Sequence, residues 1–525
     1  MTTEILIIGA GPVGLTLAAE LVRHGVCPRL IDKASGPSPY CRAIGVTPRS
    51  LEMFEDMGVA REIIDAGLWL RGVRTLVKGA PAREVRHDFS DLPFALLGVP
   101  QYATERVLTE HLATFGIHIE HGVALSGLRQ SADSVTVELD GPQGTEQAAF
   151  RYVIGCDGAH SAVRRALDIP FEGDAFPMEF MLGDVHVDWD VPRAMSVFAV
   201  EPKQDAAPDF FVAIPLPGRS RYRVSMTAPE RLSAPRGTGT GHGIQTDRPG
   251  ASLADLQEVA DRVLPEKAVL SDMHWSSIFR ISMRLAAHYR VGNTFIAGDA
   301  AHIHPPTGGQ GMNTGVQDAY NLAWKLALVV QGRAGAGLLD SYEAERHPVA
   351  AEVVARTTEQ TMNFGRRGSG DRLADTQLLV TYRGGPLAAG ASGEGVRAGD
   401  RVPDVQGLRR FGVGFPLRLF DLLKGTHFVL LASVEGDTTP IEALAARLEA
   451  LWPSAVRVVA IAPGGAMLEE PPGMELITDA AGTFTTVFGP GMWLVRPDNY
   501  VGLHSPALSG DEVVTYLREA VGLTG

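Results

Sequence analysis

Between Gly298 and Asn313 the chain carries GDAAHIHPPTGGQGMN, which sets an aspartate, two histidines and several glycines ahead of a helical pattern. Residues 294–297 (TFIA) are an apolar run fit for a buried parallel strand, and Leu322, Ala323, Leu326, Ala327 and Val330 keep helical spacing beyond it. Gly308, Gly309 and Gly311 let backbone approach a ligand closely, and a helix starting behind them offers free N–H groups at a positive dipole end. That arrangement suits an electron-rich group, such as a phosphate or the reduced edge of a cofactor ring. A glycine-rich strand-to-helix connection without a ligand is the alternative. His302 and His304 make a poor metal pair, since no Cys or Glu cluster with zinc-like spacing accompanies them.

The elements that must position this loop begin at the N-terminus. Residues 5–8 are an unbroken apolar strand, followed at once by Gly9-Ala10-Gly11-Pro12-Val13-Gly14 and a helix with Leu15, Ala18, Ala19 and Val22 on one face. This is the GxGxxG dinucleotide fingerprint in its strand-turn-helix setting: the first glycine makes the turn, the second admits a pyrophosphate, and the third allows helix packing. The acidic residue expected about 20 positions later is Asp32, at the end of the apolar run 28–31. A third segment, GCDGAHSAVRR at 155–165, follows another apolar strand at 152–154. Its His160, Arg164 and Arg165 suit either a cofactor phosphate or a solvated helix face.

In this order and spacing, GAGPVG, GCDGAHSAVRR and AGDAAHIHPPTGGQGMN resemble the class A, single-component FAD-dependent aromatic monooxygenases related to p-hydroxybenzoate and phenol hydroxylases. The likeness covers about the first 360 residues and includes SYEAERHP at 341–348. It implies that Gly9, Gly11, Pro12 and Gly14 hold the FAD pyrophosphate and Asp32, where many relatives have glutamate, the adenosine ribose. It places Arg42 and Gln101 near the pyrophosphate and the ribityl or ribose hydroxyls, Asp157 and Gly158 beside FAD and the path of NADH or NADPH, and Asp299 on the ribityl chain. Pro305, Pro306, Gly308, Gly311, Met312 and Asn313 then cradle the isoalloxazine edge, largely through backbone N–H groups. The implied reaction is NAD(P)H- and O2-dependent hydroxylation of a phenolic or polycyclic aromatic substrate through a flavin C4a-hydroperoxide, the flavin carrying the chemistry and no metal being needed. Baeyer–Villiger insertion and oxidative dehalogenation share the cofactor site and stay open. A flavin-binding protein without oxygenase activity is the reading from another class.

The implied fold is α/β: a Rossmann-like FAD-binding domain with an inserted β-sheet substrate domain and a C-terminal thioredoxin-like domain. Residues 1–175 and 285–360 are assigned to the first, with 73–102 able to join the substrate sheet, and 176–284 to the second. Strand candidates in the latter fall at 180–187, 196–200, 210–216 and 221–226. Phe210, Phe211, Arg221, Tyr222 and Arg223 lie on that sheet, although alternation lets only some face inward. Phe211, Arg221, Arg223 and Pro305 are the substrate candidates, an arginine pairing with a phenolate or carboxylate or else facing solvent. Residues 233–250 read as a glycine- and proline-rich surface loop, either a linker or an entrance flap. Residues 361–399 read as a linker, and 400–525 alternate strand and helix, with a hairpin-like pair around Phe484 and Trp493. The three cysteines, Cys27, Cys41 and Cys156, supply no CxxC and no disulfide framework.

Composition agrees with an enzyme of small molecules. A net charge of −14 argues against nucleic acid or anionic membrane as the main partner, and no apolar run reaches the roughly 18 residues of a membrane span. The first strand begins at Ile5, leaving no room for a signal peptide, so a cytoplasmic protein, in isolation or as a homodimer, is expected.

Overall fold

The computed structural model describes residues 4–37, 41, 43–203, 208–232, 243–244, 250–305, 307–362, 372–390, 395–465, 473–508 and 510–525. The chain divides into two units, one of Met1–Ala19, Pro28–Ala319 and Ala350–Gln377, the other of Glu20–Cys27, Tyr320–Val349 and Leu378–Gly525.

In the first unit the strand Ile5–Ile8 is wholly buried, as its continuous apolar run requires. It pairs in parallel with Tyr152–Gly155 on one side and Arg29–Asp32 on the other. Thr294–Ile296 and Ile119–His121 extend this parallel sheet, and Arg290–Val291 closes one edge antiparallel. The registers Ile8↔Gly155, Ile8↔Ile31 and Gly155↔Ile296 level the carboxyl ends of four strands. The loops that follow, starting at Gly9, Lys33, Cys156 and Ala297, therefore leave the sheet along one edge.

A separate antiparallel sheet of Ala124–Gln130, Val135–Gly141 and Gly144–Phe150 is inserted in the segment assigned to the Rossmann-like domain. A larger sheet runs in the order Gly243–Ile244, Val269–Ala286, Phe171–Asp188, Arg221–Thr227, Asp209–Pro215, Met195–Glu201, Gly72–Val77, Arg83–Arg86, with His302–Ile303 paired to the end of Val269–Ala286. Gly243–Ile244 is the part of the expected 233–250 surface loop, other than Gly250, that lies within the described residues. Two of the strands are 18 residues long, and Phe171–Asp188 runs straight across the expected junction at 175. Register shifts between Ala175 and Glu179 and between Asp184 and His186 bend this pair and break the alternation that marks a strand in sequence.

One face of the large sheet lies under the helix Leu253–Val263, whose start is fixed by a Ser252/Asp255 capping box. At 11 residues it is shorter than the about 12–15 an isolated helix needs to persist, so packing must hold it. Leu256, Val259, Ala260 and Val263 meet Met181, Val197, Phe211, Val224 and Met226, none more than 1% exposed. Full burial of each large side chain stabilises by about 1.5–3 kcal/mol. Phe211, expected at the substrate, thus belongs to the core beneath the helix: its partner across the ladder is Met226, on the face opposite Arg223. Phe210 takes the other face.

The second unit is built on the order Ala389–Gly390, Val501–Ser505, Met492–Val495, Phe428–Ser433, Val456–Pro463, Glu475–Asp479, Leu408–Arg410, Pro416–Leu417. Phe428–Ser433 and Val456–Pro463 are parallel and joined through the helix Thr439–Leu451, while Met492–Val495 and Val501–Ser505 form a hairpin. Phe484 is not on a strand beside Trp493 as expected. Gly482 and Gly489, at φ 69° and 77°, bracket a short helix, Thr483–Phe488, and bend a β-branched run out of the extended form. Ala389–Gly390, inside the expected linker, adds a parallel strand beside Val501–Ser505. A buried ionic cluster also lies in this unit. Glu345 bonds Arg496 (2.5 Å) and Lys325 (2.8 Å), and Asp498 holds the other side of Arg496. Among the described residues no helix is long and apolar enough to cross a membrane.

Candidate functional site

The glycines of the first loop have three different environments. Gly9 has φ +104°, and a Cβ there would stand 2.4 Å from the carbonyl oxygen of Cys156. A Cβ on Gly14 would lie 1.9 Å from the carbonyl oxygen of Gly9, so the helix packs on the turn only with glycine here. Gly11 is the opposite case, with no atom within 4 Å of its added Cβ. The open space is therefore at the second glycine, where a phosphate approaches the backbone in a dinucleotide fold. Asp32 accepts from the N–H of Ala10 (2.7 Å) and of Ala34 (2.7 Å), so its carboxylate braces the loop from the neighbouring strand end.

Asp157 and Gly158 follow the strand next door. Asp157 Oδ2 accepts from the N–H groups of Ala162 (2.6 Å) and Val163 (3.3 Å), while Oδ1 is sealed from solvent without a hydrogen-bond partner among the described residues. A buried acceptor left in that state costs about 1–3 kcal/mol and signals a missing donor. Arg164 donates to the carbonyls of Ala300 (2.8 Å) and Ala159 (2.9 Å) and lies 3.8 Å over the ring of Phe171. It ties this loop to the next, burial lowering its pKa to about 10. Arg165 instead bonds the carbonyl of His160 at the surface.

The third loop opens with Gly298 at φ +62° against Val13, and exposes Asp299 on the same side of the sheet. Asp318, from the helix Gly311–Val330, accepts from Gly298 N (3.1 Å) and pairs with His302 Nε2 (2.7 Å). A Cβ on Gly315 would meet Val13 at 2.6 Å and Gly298 at 3.0 Å, so this helix is packed directly on the other two motifs. Its N–H groups at Gly311, Met312 and Asn313 precede the first helical bond, from Thr314 N to Gln310 O (2.9 Å). Gly308 and Gly309, at φ 78° and 65°, turn the chain into it. Asn313, expected through its backbone, also works through its side chain: Nδ2 donates to Gly45 O (2.8 Å) and Gly309 O (2.7 Å), and Oδ1 accepts from Thr47 N (3.0 Å). Gln101 accepts from Ala43 N (3.0 Å) in the same segment and donates to Glu105. Arg42 and Pro306 lie outside the described residues.

His304 stands beside this helix start, its ring 3.6 Å from where a Cβ of Gly311 would be. Nδ1 lies 3.0 Å from the carbonyl of Pro305, and because a carbonyl only accepts, the proton is on Nδ1 and Nε2 is a bare, sealed acceptor. Burial, reinforced by His302, lowers its pKa to about 4.

Of the substrate candidates, Pro305 is buried in this loop, and Arg221 is spent on Asp272 (2.6 Å) and His274 (2.9 Å). Arg223 is buried against Asp184 (2.5 and 3.1 Å), with Trp275 Nε1 donating to the same carboxylate (2.7 Å). Its face of the sheet packs through Ile214, Leu216 and Trp275 on Cys41 and Ile44, which lead into the Gly45–Thr47 contacts of Asn313. Asp184, Trp275, Cys41, Thr47, Asp318 and Gln377 were not foreseen. Asp318 left a signal, the one carboxylate in a helix of mostly apolar and neutral residues. Gln377, whose side chain bonds Thr314 (3.0 Å) and Gln317 (2.6 Å), left none.

Comparison with known proteins bears on this geometry. A family model described as FAD binding domain matches residues 2–357. A flavin-dependent monooxygenase of Mycobacteroides abscessus is 35% identical over 98% of this chain and 100% of its own. Pentachlorophenol 4-monooxygenase of Sphingobium chlorophenolicum is 32% identical over 97% of this chain and 95% of its own. The crystal structure of aklavinone-11 hydroxylase with FAD and aklavinone superposes with a TM-score of 0.80 at 26% identity, covering 99% of both chains.

Proposed function

The chain belongs to the FAD binding domain family of flavin-dependent monooxygenases, and from that premise we propose that it uses FAD, NAD(P)H and O2 to hydroxylate a phenolic or polycyclic aromatic substrate. The observation that carries the reading is the convergence of three loops on one sheet edge: the open backbone at Gly11, the unsatisfied Asp157 Oδ1 and the exposed Asp299, beside the start of the helix Gly311–Val330.

Gly11 and the first turn of the helix Pro12–Arg23 bind the pyrophosphate, where N–H groups and the helix dipole favour negative charge. Asp32 and Asp299 orient the ribose and ribityl hydroxyls as acceptors. When bound, FAD would take two electrons from NAD(P)H and pass one oxygen atom of O2 to the substrate ring, the other leaving as water. The N–H groups at Gly311, Met312 and Asn313 would stabilise negative charge on a bound cofactor ring without reorganising, since Asn313 ties Gly309 to the Gly45–Thr47 segment. Half-buried Val212, Ile214, Trp275 and Phe279, on the sheet face away from the Leu253–Val263 helix, exclude water from the reacting ring. The protein is further read as cytoplasmic, with a homodimer to be tested by light scattering.

The test is to purify the protein, record its visible spectrum, and follow NADH and NADPH oxidation over a panel of phenols with product masses. A yellow protein whose NAD(P)H oxidation is accelerated by a phenol, with a product heavier by one oxygen, supports the reading. Insertion into a ketone or loss of halide would redirect it to the other oxygenations. A colourless protein that fails to take up FAD would sink it.

A further inference from the structure

The sheet face that carries Arg223 can be read row by row from the ladder. Antiparallel partners share a face, so one row is Trp275, Asp184, Arg223 and Ile214, the next Ser277, Leu182, Ser225 and Val212, and a third Phe279, Phe180 and Thr227, with Phe210 bonded at its end to Thr227. Four strands at about 4.8 Å and three rows at about 6.8 Å give a face of roughly 14 Å by 14 Å, the footprint of several fused rings rather than one. The opposite face is sealed under its helix; on this one Ser225, Val212, Ile214, Trp275 and Phe279 are half-buried, with Asp184 and Arg223 buried between them.

The charge on this floor is compensated. Arg223 gives Nε and one terminal nitrogen to Asp184, the fork-on-carboxylate geometry that uses a guanidinium most fully, and its planar group lies 4.9 Å from the Trp275 ring centre. The buried thiol of Cys41 packs against Ile214 and Trp275 of the same row. Arg221, the other cation of the strand, is paired with Asp272. An arginine neutralised in this way is no receptor for a substrate carboxylate, and an anion brought onto the floor would meet Asp184 without gaining a free cation.

Resting on the monooxygenase reading for the position of the ring, we propose that the Asp184–Arg223–Trp275 row selects neutral, carboxylate-free polycyclic phenols and rejects their carboxylated counterparts. Removing the Asp184 charge uncovers a buried guanidinium and reverses the preference.

The test measures binding of two fluorescent probes, 3-hydroxy-2-naphthoate and its methyl ester, to the FAD-loaded protein. The wild type is expected to hold the ester about tenfold more tightly than the acid, the scale of one charged hydrogen bond. Asp184→Asn, which keeps the shape and the bond from Trp275, should shift the ester-to-acid ratio about tenfold toward the acid. The double variant Asp184→Asn with Arg223→Gln, which has no charge to uncover, should return it to the wild-type value. A wild type that prefers the acid overturns the proposal, whether or not the variants fold, as does an unchanged ratio in Asp184→Asn or failure of both probes to bind. Should the protein in that event keep its flavin and oxidise NADPH, the monooxygenase reading stands and only the selectivity falls.

Discussion

Replacing Gly11 with alanine should separate the fold from the cofactor. An added Cβ at this position meets nothing within 4 Å, and the residue is outside the left-handed region, so the apoprotein accommodates it. The loss of backbone freedom in the unfolded chain then favours the variant by about 0.4–1 kcal/mol, a change in Tm of no more than a few degrees. Bound FAD would have no such latitude, because on the proposed reading the methyl group stands where a phosphate oxygen approaches the N–H groups. Losing one or two charge-assisted hydrogen bonds at about 1.5–3 kcal/mol each amounts to about 3 kcal/mol, or roughly a hundredfold in Kd. Gly14→Ala is the converse: its Cβ would overlap Gly9 O at 1.9 Å, so the helix must move away from the turn at a cost of about 1–3 kcal/mol to the apoprotein itself. The assay is FAD titration by quenching of flavin fluorescence, beside thermal melts of both apoproteins. Gly11→Ala binding FAD within threefold of wild type, or Gly14→Ala melting with wild type, would refute the assignment of open and closed glycines.

Asp299→Ala should leave the melt of the apoprotein nearly unchanged, since the residue is exposed, but purify with much less flavin; equal flavin-to-protein ratios would remove it from the ribityl chain. For His304 the folded pKa of about 4 lies below the ordinary 6.5. The folded ring resists protonation that the unfolded ring accepts, so its contribution is complete above pH 6.5 and is lost as pH falls toward 4, on the order of 3 kcal/mol. His304→Asn should flatten the fall in Tm between pH 6.5 and 4; an unaltered slope would contradict the burial argument. Glu345→Gln leaves Arg496 and Lys325 buried without their shared carboxylate and should cost about 3–5 kcal/mol in urea unfolding. A loss below 1 kcal/mol would mean the cluster is solvated.

The parallel sheet was legible because its strands, ILII and YVIG, are buried on both faces and read as unbroken apolar runs bounded by glycine. The three motif loops were legible by their glycines, of which Gly9, Gly14, Gly158, Gly298, Gly308 and Gly309 sit where a positive φ or close packing demands them. The long strand Val269–Ala286 escaped notice because it interleaves Asp272, His274, Arg280 and Arg284 with its apolar residues and bends at register shifts. Phe211 was misplaced by one step of alternation: adjacent aromatic residues look alike in sequence, and only the register decides which faces the helix. Asp184 and Trp275 could not be connected to Arg223 by spacing at all, because the contacts lie across strands 39 and 91 positions apart in their hydrogen bonds. Gln377 reaches Thr314 from a backbone φ of 61°, unusual for a side-chain-bearing residue and invisible before the chain is folded.

The parallel pairing of Ile5 with Tyr152, and of Val153 with Thr294, has a consequence for how the protein is made. Neighbours in the sheet are far apart in synthesis, and the cofactor loop is completed only by the helix that begins at Gly311. At about 5–20 residues per second a ribosome needs roughly 15–60 s to pass from the glycine fingerprint to that helix. For about the first half of that interval the nascent chain carries an apolar strand, Ile5–Ile8, whose second partner does not exist until Tyr152–Gly155 emerges. Flavin capture is therefore a late event in biogenesis, and stalled chains ending before residue 311 should need chaperone protection in place of the cofactor.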